Sequence, residues 1–309
     1  MTDLRKHAEH VKLATLLRCP PEELAFIDAL DLAATRRLRQ SVYTFLHNEN
    51  RHLFLRLTKA SNLLPSSVAA FIAERTLGPL LCARVACEMS TARASDVARQ
   101  LSPRFLASTV PYLDTLRAAE LTISLPLAQV LAVSRELTLR KEFILMGNLV
   151  SELPTPLLEA VLKEIHDGEA LLRIAFFVEN TRRLNDILEF LPTTQLKAVI
   201  LAAANEAVDL WPEALSLIDE VSPRWQTRLV NMAADEDEST LASMVHGIVR
   251  HDLWKIILPL LHLMTEANRR RIISLPSVDN DSVIQQLLNA TAKNEIDAKG
   301  KAVAPDRKS

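Results

Sequence analysis

Two histidines spaced to share a metal ion would be the most direct sign of chemistry in this chain, and His47-Asn-Glu49-Asn-Arg-His52 comes nearest to that pattern. One helix face presents two imidazoles to one ion when they stand four residues apart. At a spacing of five the second ring is rotated by about 140° from the first. The segment therefore reads as solvated or capping side chains, and His246 and His251 repeat the same spacing. His7 and His10 have a workable spacing but sit at a chain end expected to fray. Cys82 and Cys87 lie five apart beside Leu and Ala, the company of buried structural thiols rather than of a nucleophile. No nucleophile elbow is present.

Oxygen ligands are offered by Asp235-Glu236-Asp237-Glu238 and by Asp279-Asn280-Asp281, yet neither has the glycine and terminal glutamate of a calcium loop. The first run reads as a helix start, with Asp237 or a neighbour capping a helix that begins near Ser239. The arginine clusters Arg36-Arg37-Arg39, Arg182-Arg183 and Arg269-Arg270-Arg271 lack interleaved aromatics for stacking on bases. They read as solvated faces whose aliphatic stems cover apolar surface. Arginine is over-represented at binding hot spots, so Arg269, Arg270 and Arg271 are the residues chosen for contact with a partner. No catalytic, metal-binding or cofactor-binding residue is assigned, and no cofactor is expected.

The elements that would have to position such groups follow from composition. The chain has 309 residues, 49% of them hydrophobic, enough for a substantial core. Only 5 are glycine, where average usage of about 7% gives roughly 22, which disfavours phosphate-cradling loops and tight-hairpin β architectures. A net charge of −2 supplies no field toward nucleic acid, and none is expected as a partner. The odd set of three cysteines without CxxC spacing, and an N-terminus without a signal-like apolar stretch, fit a reducing cytoplasm. The most apolar windows, 171–178 and 253–264, are interrupted by Arg173 or by Lys255, Pro259 and His262. They fall short of the roughly 20 residues that span a bilayer. A mean hydropathy of +0.10 leaves peripheral membrane contact open.

What recurs is a short amphipathic helix entered through a small polar residue or a proline. Ser90, Ser102 and Asp114 fall 12 apart, each suited to accept from first-turn amides, and Pro126 opens the next helix as an N1 proline. Apolar residues between these stops keep helical spacing, as in Phe105, Leu106, Val110 and Leu113. Helices of about 11 residues are marginal alone in water and must stack. The second half repeats the scheme in longer units with stops at Pro154, Pro192, Pro223 and Thr265. Earlier in the chain, helices are expected over 3–18, 20–30, 32–46, 51–60 and 66–87, the last broken at Gly78-Pro79.

The run MSTARASDVARQLSPRFLASTVPYLDTLRAAELTISLPLAQVLAVSREL is similar to the helical repeats in the cytoplasmic N-terminal domain of MgtE-type magnesium transporters. The resemblance implies a right-handed superhelix of short helices. In the transporters that domain rearranges with bound magnesium. Arginines outnumber carboxylates between Ser90 and Leu137, so magnesium sensing does not carry over and no site residue is transferred.

The expectation is an all-α fold, a right-handed superhelix (α-solenoid) of short antiparallel helical hairpins. It comprises an N-terminal helical region over 1–88, a degenerate repeat over 89–289 and a disordered tail over 290–309. The expected function is a non-enzymatic scaffold that binds a protein partner. The runner-up is a module for an apolar ligand or a peripheral membrane surface, and an unrecognised enzyme is third.

Overall fold

The computed structural model describes residues 2–17, 19–48 and 51–278. The tail over 290–309, Glu49 of the histidine segment and Asp279-Asn280-Asp281 lie outside the described residues. The fold is all-helical, 77% helix, with no strand among the described residues. The first compact unit comprises Met1–Ile165 with Arg173–Phe190, and the second His166–Leu172 with Leu191–Ser309.

In the first unit the helices are α1 (Thr2–Leu17), α2 (Leu32–Asn48), α3 (Arg51–Asn62), α4 (Ser66–Ile72), α5 (Gly78–Glu88), α6 (Thr91–Ala98) and α7 (Pro103–Thr109). There follow α8 (Thr115–Ser124), α9 (Leu127–Leu139), α10 (Phe143–Val150), α11 (Thr155–Glu164), the second half of α12 (Gly168–Phe176) and α13 (Arg182–Phe190). Two layers result. Helices α3, α5, α7, α9, α11 and α13 pack in succession along one, and α4, α6, α8 and α10 along the other. Where α10 meets α12 the backbones touch, since a Cβ on Gly147 would lie 2.7 Å from the Ile174 carbonyl oxygen.

The caps expected at 12-residue spacing are present. Ser90 Oγ accepts from the Arg93 amide, Ser102 Oγ from Phe105 and Asp114 Oδ1 from Leu116. Pro126 stands one position earlier than expected, at the N-cap of α9 rather than at N1. The expected helix at 20–30 is a 3-10 segment, Pro21–Ile27. The break at Gly78-Pro79 is a π turn, Ala73–Leu77, ending on Gly78 with φ of 74°. In a chain with so few glycines, Lys141 occupies the left-handed position after α9 (φ 58°), where the Glu142 amide reaches back to the Leu137 carbonyl.

The second unit holds the start of α12 and helices α14 (Thr193–Ala204), α15 (Trp211–Ile218), α16 (Pro223–Ala234), α17 (Glu238–Arg250), α18 (Trp254–Leu261) and α19 (Glu266–Ile273). Helices α14, α16 and α18 pack in succession, and α15 lies on α17. The core gathers Leu215, Val230, Ile248, Trp254 and Leu260, with Ile200, Leu241 and Met244 in a second cluster. Asp237 caps α17 by accepting from the Thr240 amide, the expected role. Ser222, at the N-cap of α16, makes no capping bond with its side chain.

Candidate functional site

Between the two layers of the first unit runs a cavity of about 250 Å³, from Leu57 on α3 to Ile174 on α12. The layers do not close completely because alanines line the gap, among them Ala94, Ala98 and Ala118. No aromatic and no charged side chain is among the lining residues. The hydroxyls of Thr109 and Thr122 also line it, but they donate to the Phe105 and Ala118 carbonyls of their own helices. Ser134 Oγ is buried without a hydrogen-bond partner. Cys82 is a further lining residue, and burial pushes its thiol up to about 11. Burial likewise raises Cys87, against the opposing influence of the Asp114 backbone and of Arg117. Both thiols are held protonated, which agrees with their reading as structural.

At one end of this stack the apolar surface is open. Among the described residues, eight of the seventeen exposed large hydrophobic ones fall within 53–81, including Leu53, Leu63, Phe71 and Leu80. The density has a structural cause: α3 is the first helix of its layer and packs principally on α5.

A buried ionic cluster ties α1 and α2 to the turn before α13. Glu9, 2% exposed, receives Arg39 Nε at 2.9 Å and Lys12 Nζ at 3.3 Å; Glu179 receives Lys12 at 3.1 Å and Arg39 Nη2 at 2.8 Å. Burial alone would raise the Glu9 carboxyl, and the cations of Lys12, Arg39 and Arg36 outweigh it and hold the group below its ordinary value. For Lys12 burial prevails and lowers the ammonium despite both carboxylates. With every member paired and no open coordination site, the cluster is a structural tie.

Of the arginines expected as solvated faces, Arg37, Arg182 and Arg270 are exposed, whereas Arg39, Arg183 and Arg271 are spent on groups of the protein itself. A helix ends with unsatisfied carbonyls at its negative pole, and a guanidinium satisfies two of them at once. Arg93, third residue of α6, donates to the Ser61 and Leu64 carbonyls at the end of α3 (2.7 and 2.6 Å). Arg117, third in α8, does the same for Ala86 and Met89 at the end of α5 (2.9 and 2.7 Å). Gln129, third in α9, reaches Ala98 and Leu101 at the end of α6 (3.0 and 3.1 Å). Arg183 donates to the Leu153 carbonyl. These clamps escaped the sequence reading, although a signal existed: each of the first three follows its N-cap residue by three positions.

Of the residues chosen for partner contact, Arg271 is a clamp of this kind in the second unit, donating to the Ala234 and Glu236 carbonyls at 2.8 and 2.6 Å. Arg270 is 79% exposed and pairs with Glu266, as does Arg269 at 3.7 Å. Among the described residues the candidate metal sets are not assembled. His251 Nε2 lies 2.6 Å from Asp209 while His246 is exposed, and the His10 ring is held by the Leu24 carbonyl and Asp28. No group of three or more metal-ligating side chains exists among the described residues. Nor, among them, is any single helix long and apolar enough to cross a membrane. No protein-family model, curated protein or solved structure matches the chain.

Proposed function

We propose that the protein is a non-catalytic helical-repeat module that binds a protein partner through the open end of its first unit. One observation carries the reading: the terminal helix of the stack, α3, turns Leu53, Leu55 and Leu57 toward solvent, with Leu63, Val68, Phe71, Leu80 and Leu81 on the elements beside it. Stacked repeats that stand alone place a polar face on their terminal element, because each repeat buries its apolar surface only against a neighbour. An apolar terminal face is therefore half of a joint. The other half is a partner surface rich in aliphatic and aromatic side chains, the composition of interface centres.

Introducing charge on that face tests the reading. Tagged protein carrying Leu53→Glu and Phe71→Glu should keep its helical circular dichroism and lose the partner that the unaltered protein retains through purification from its native cell. Recovery of the same partner in the same amount by the doubly substituted protein would exclude this end as the docking surface.

A further inference from the structure

Beyond partner binding, the interior of the first unit has the features of a ligand site. A dry apolar cavity of about 150 Å³ accommodates a molecule the size of benzene. On that scale the roughly 250 Å³ here holds about ten carbon atoms. Its form selects among ten-carbon groups, because the lining runs through successive helices from α3 to α12 and is long rather than round. The absence of aromatic and charged lining residues removes stacking and ion pairing as means of holding a planar or charged group inside. Water is a poor occupant, since a buried water needs two to four polar partners. Here the Thr109 and Thr122 hydroxyls are already spent, leaving the hydroxyls of Ser61 on α3 and of Ser134, the latter buried without a partner.

The rim on α3 has the opposite character. Leu57 and Ala60 line the cavity and are exposed, and Arg56 and Lys59 directly precede them on a helix that carries no carboxylate. The helix's other arginine, Arg51, is taken by Glu88 at 2.9 Å. We propose that this cavity binds one aliphatic chain with an anionic head group, a medium-chain carboxylate, its hydrocarbon between the layers and its head at Arg56 and Lys59. The burial of a flexible chain against aliphatic walls supplies the affinity, and the two cations fix which end stays outside.

Calorimetric titration of the purified protein with dodecanoate, below its micellar concentration, and with dodecanol tests this without any partner present, so its outcome is separate from that of the docking experiment. Dodecanoate should bind one to one. The substitutions Arg56→Glu and Lys59→Glu together should weaken it about tenfold, the loss of two exposed ion pairs and their reversal, and leave dodecanol unaffected. Ala118→Leu, which fills the cavity, should abolish both ligands, with Val133→Met as the alternative filling should the first variant fail to fold. No saturable uptake of dodecanoate by the unaltered protein, or full binding by a folded cavity-filled variant, overturns the proposal. Equal weakening of dodecanoate and dodecanol by the charge reversals, or no weakening of either, overturns the placement of the head group.

Discussion

Removing Arg117 examines the forces holding the first unit together, because this side chain joins three elements. From α8 its guanidinium donates to the Ala86 and Met89 carbonyls at the end of α5, to Thr91 Oγ1 at 2.9 Å and to Glu120 at 2.7 Å, while the side chain is only 13% exposed. Each charge-assisted bond to a carbonyl is worth about 1.5–3 kcal/mol. The Glu120 pair lies at the surface and adds little. Arg117→Ala strands both carbonyls, and with water able to reach part of the vacated space the expected loss is about 3 kcal/mol. Arg117→Lys, a single point donor, should recover less than half of it. Urea denaturation followed by circular dichroism reads the change, with a shifted midpoint and an unaltered slope. The matched control is Arg99→Ala, whose side chain is 46% exposed and makes one carbonyl bond, to Ser124; it should cost under about 1 kcal/mol. Equal midpoints for Arg117→Ala and Arg99→Ala would refute the clamp as a source of stability.

Other perturbations have equally definite signs. Lys141→Gly should stabilise the protein by about 1 kcal/mol in urea, because it relieves a side chain held at φ of 58° where glycine is unstrained. Ser102→Ala should cost about 1 kcal/mol through loss of its cap on α7, whereas Ser222→Ala, with no cap to lose, should cost clearly less. Glu9→Gln should destabilise by about 3 kcal/mol near neutral pH by leaving Lys12 and Arg39 short of a buried counter-charge. Because the folded-state Glu9 carboxyl lies below its ordinary 4.5, its contribution is complete above that value and disappears as pH falls through the lower folded value. Unaltered protein and Glu9→Gln should therefore converge in acid, and a gap independent of pH would contradict the assignment.

The parts of the fold that were legible in the sequence are those fixed by local chemistry. A serine or aspartate that accepts from its own first turn announces itself within four residues, so Ser90, Ser102, Asp114 and Asp237 were readable, as were the stops at Pro154, Pro192 and Thr265. Ser222 shows the limit, since the same Ser-Pro pattern that caps α7 makes no capping bond at the start of α16. The clamps were hidden because they reach back 28 to 37 residues, and no rule of local spacing identifies which helix end an arginine will meet. Gly147 is a similar case: its need for a missing Cβ arises only where α10 meets Ile174 and Phe177. The cavity could not be foreseen either, as it depends on which alanines of two layers face one another. The exposure of the α3 leucines has no local signal either, because it follows from α3 being the first helix of its layer.

Hydrogen exchange over residues 51–81, compared between the purified protein and the protein still held in its native complex, addresses the central claim most directly. An open terminal helix exchanges fast when alone, because few buried contacts resist its local unfolding. The account predicts that the complex slows exchange in α3 and α4 while leaving α7 and α9, already enclosed in the stack, as they were. Protection confined to α19 around Arg269 and Arg270, with 51–81 unchanged, would contradict it.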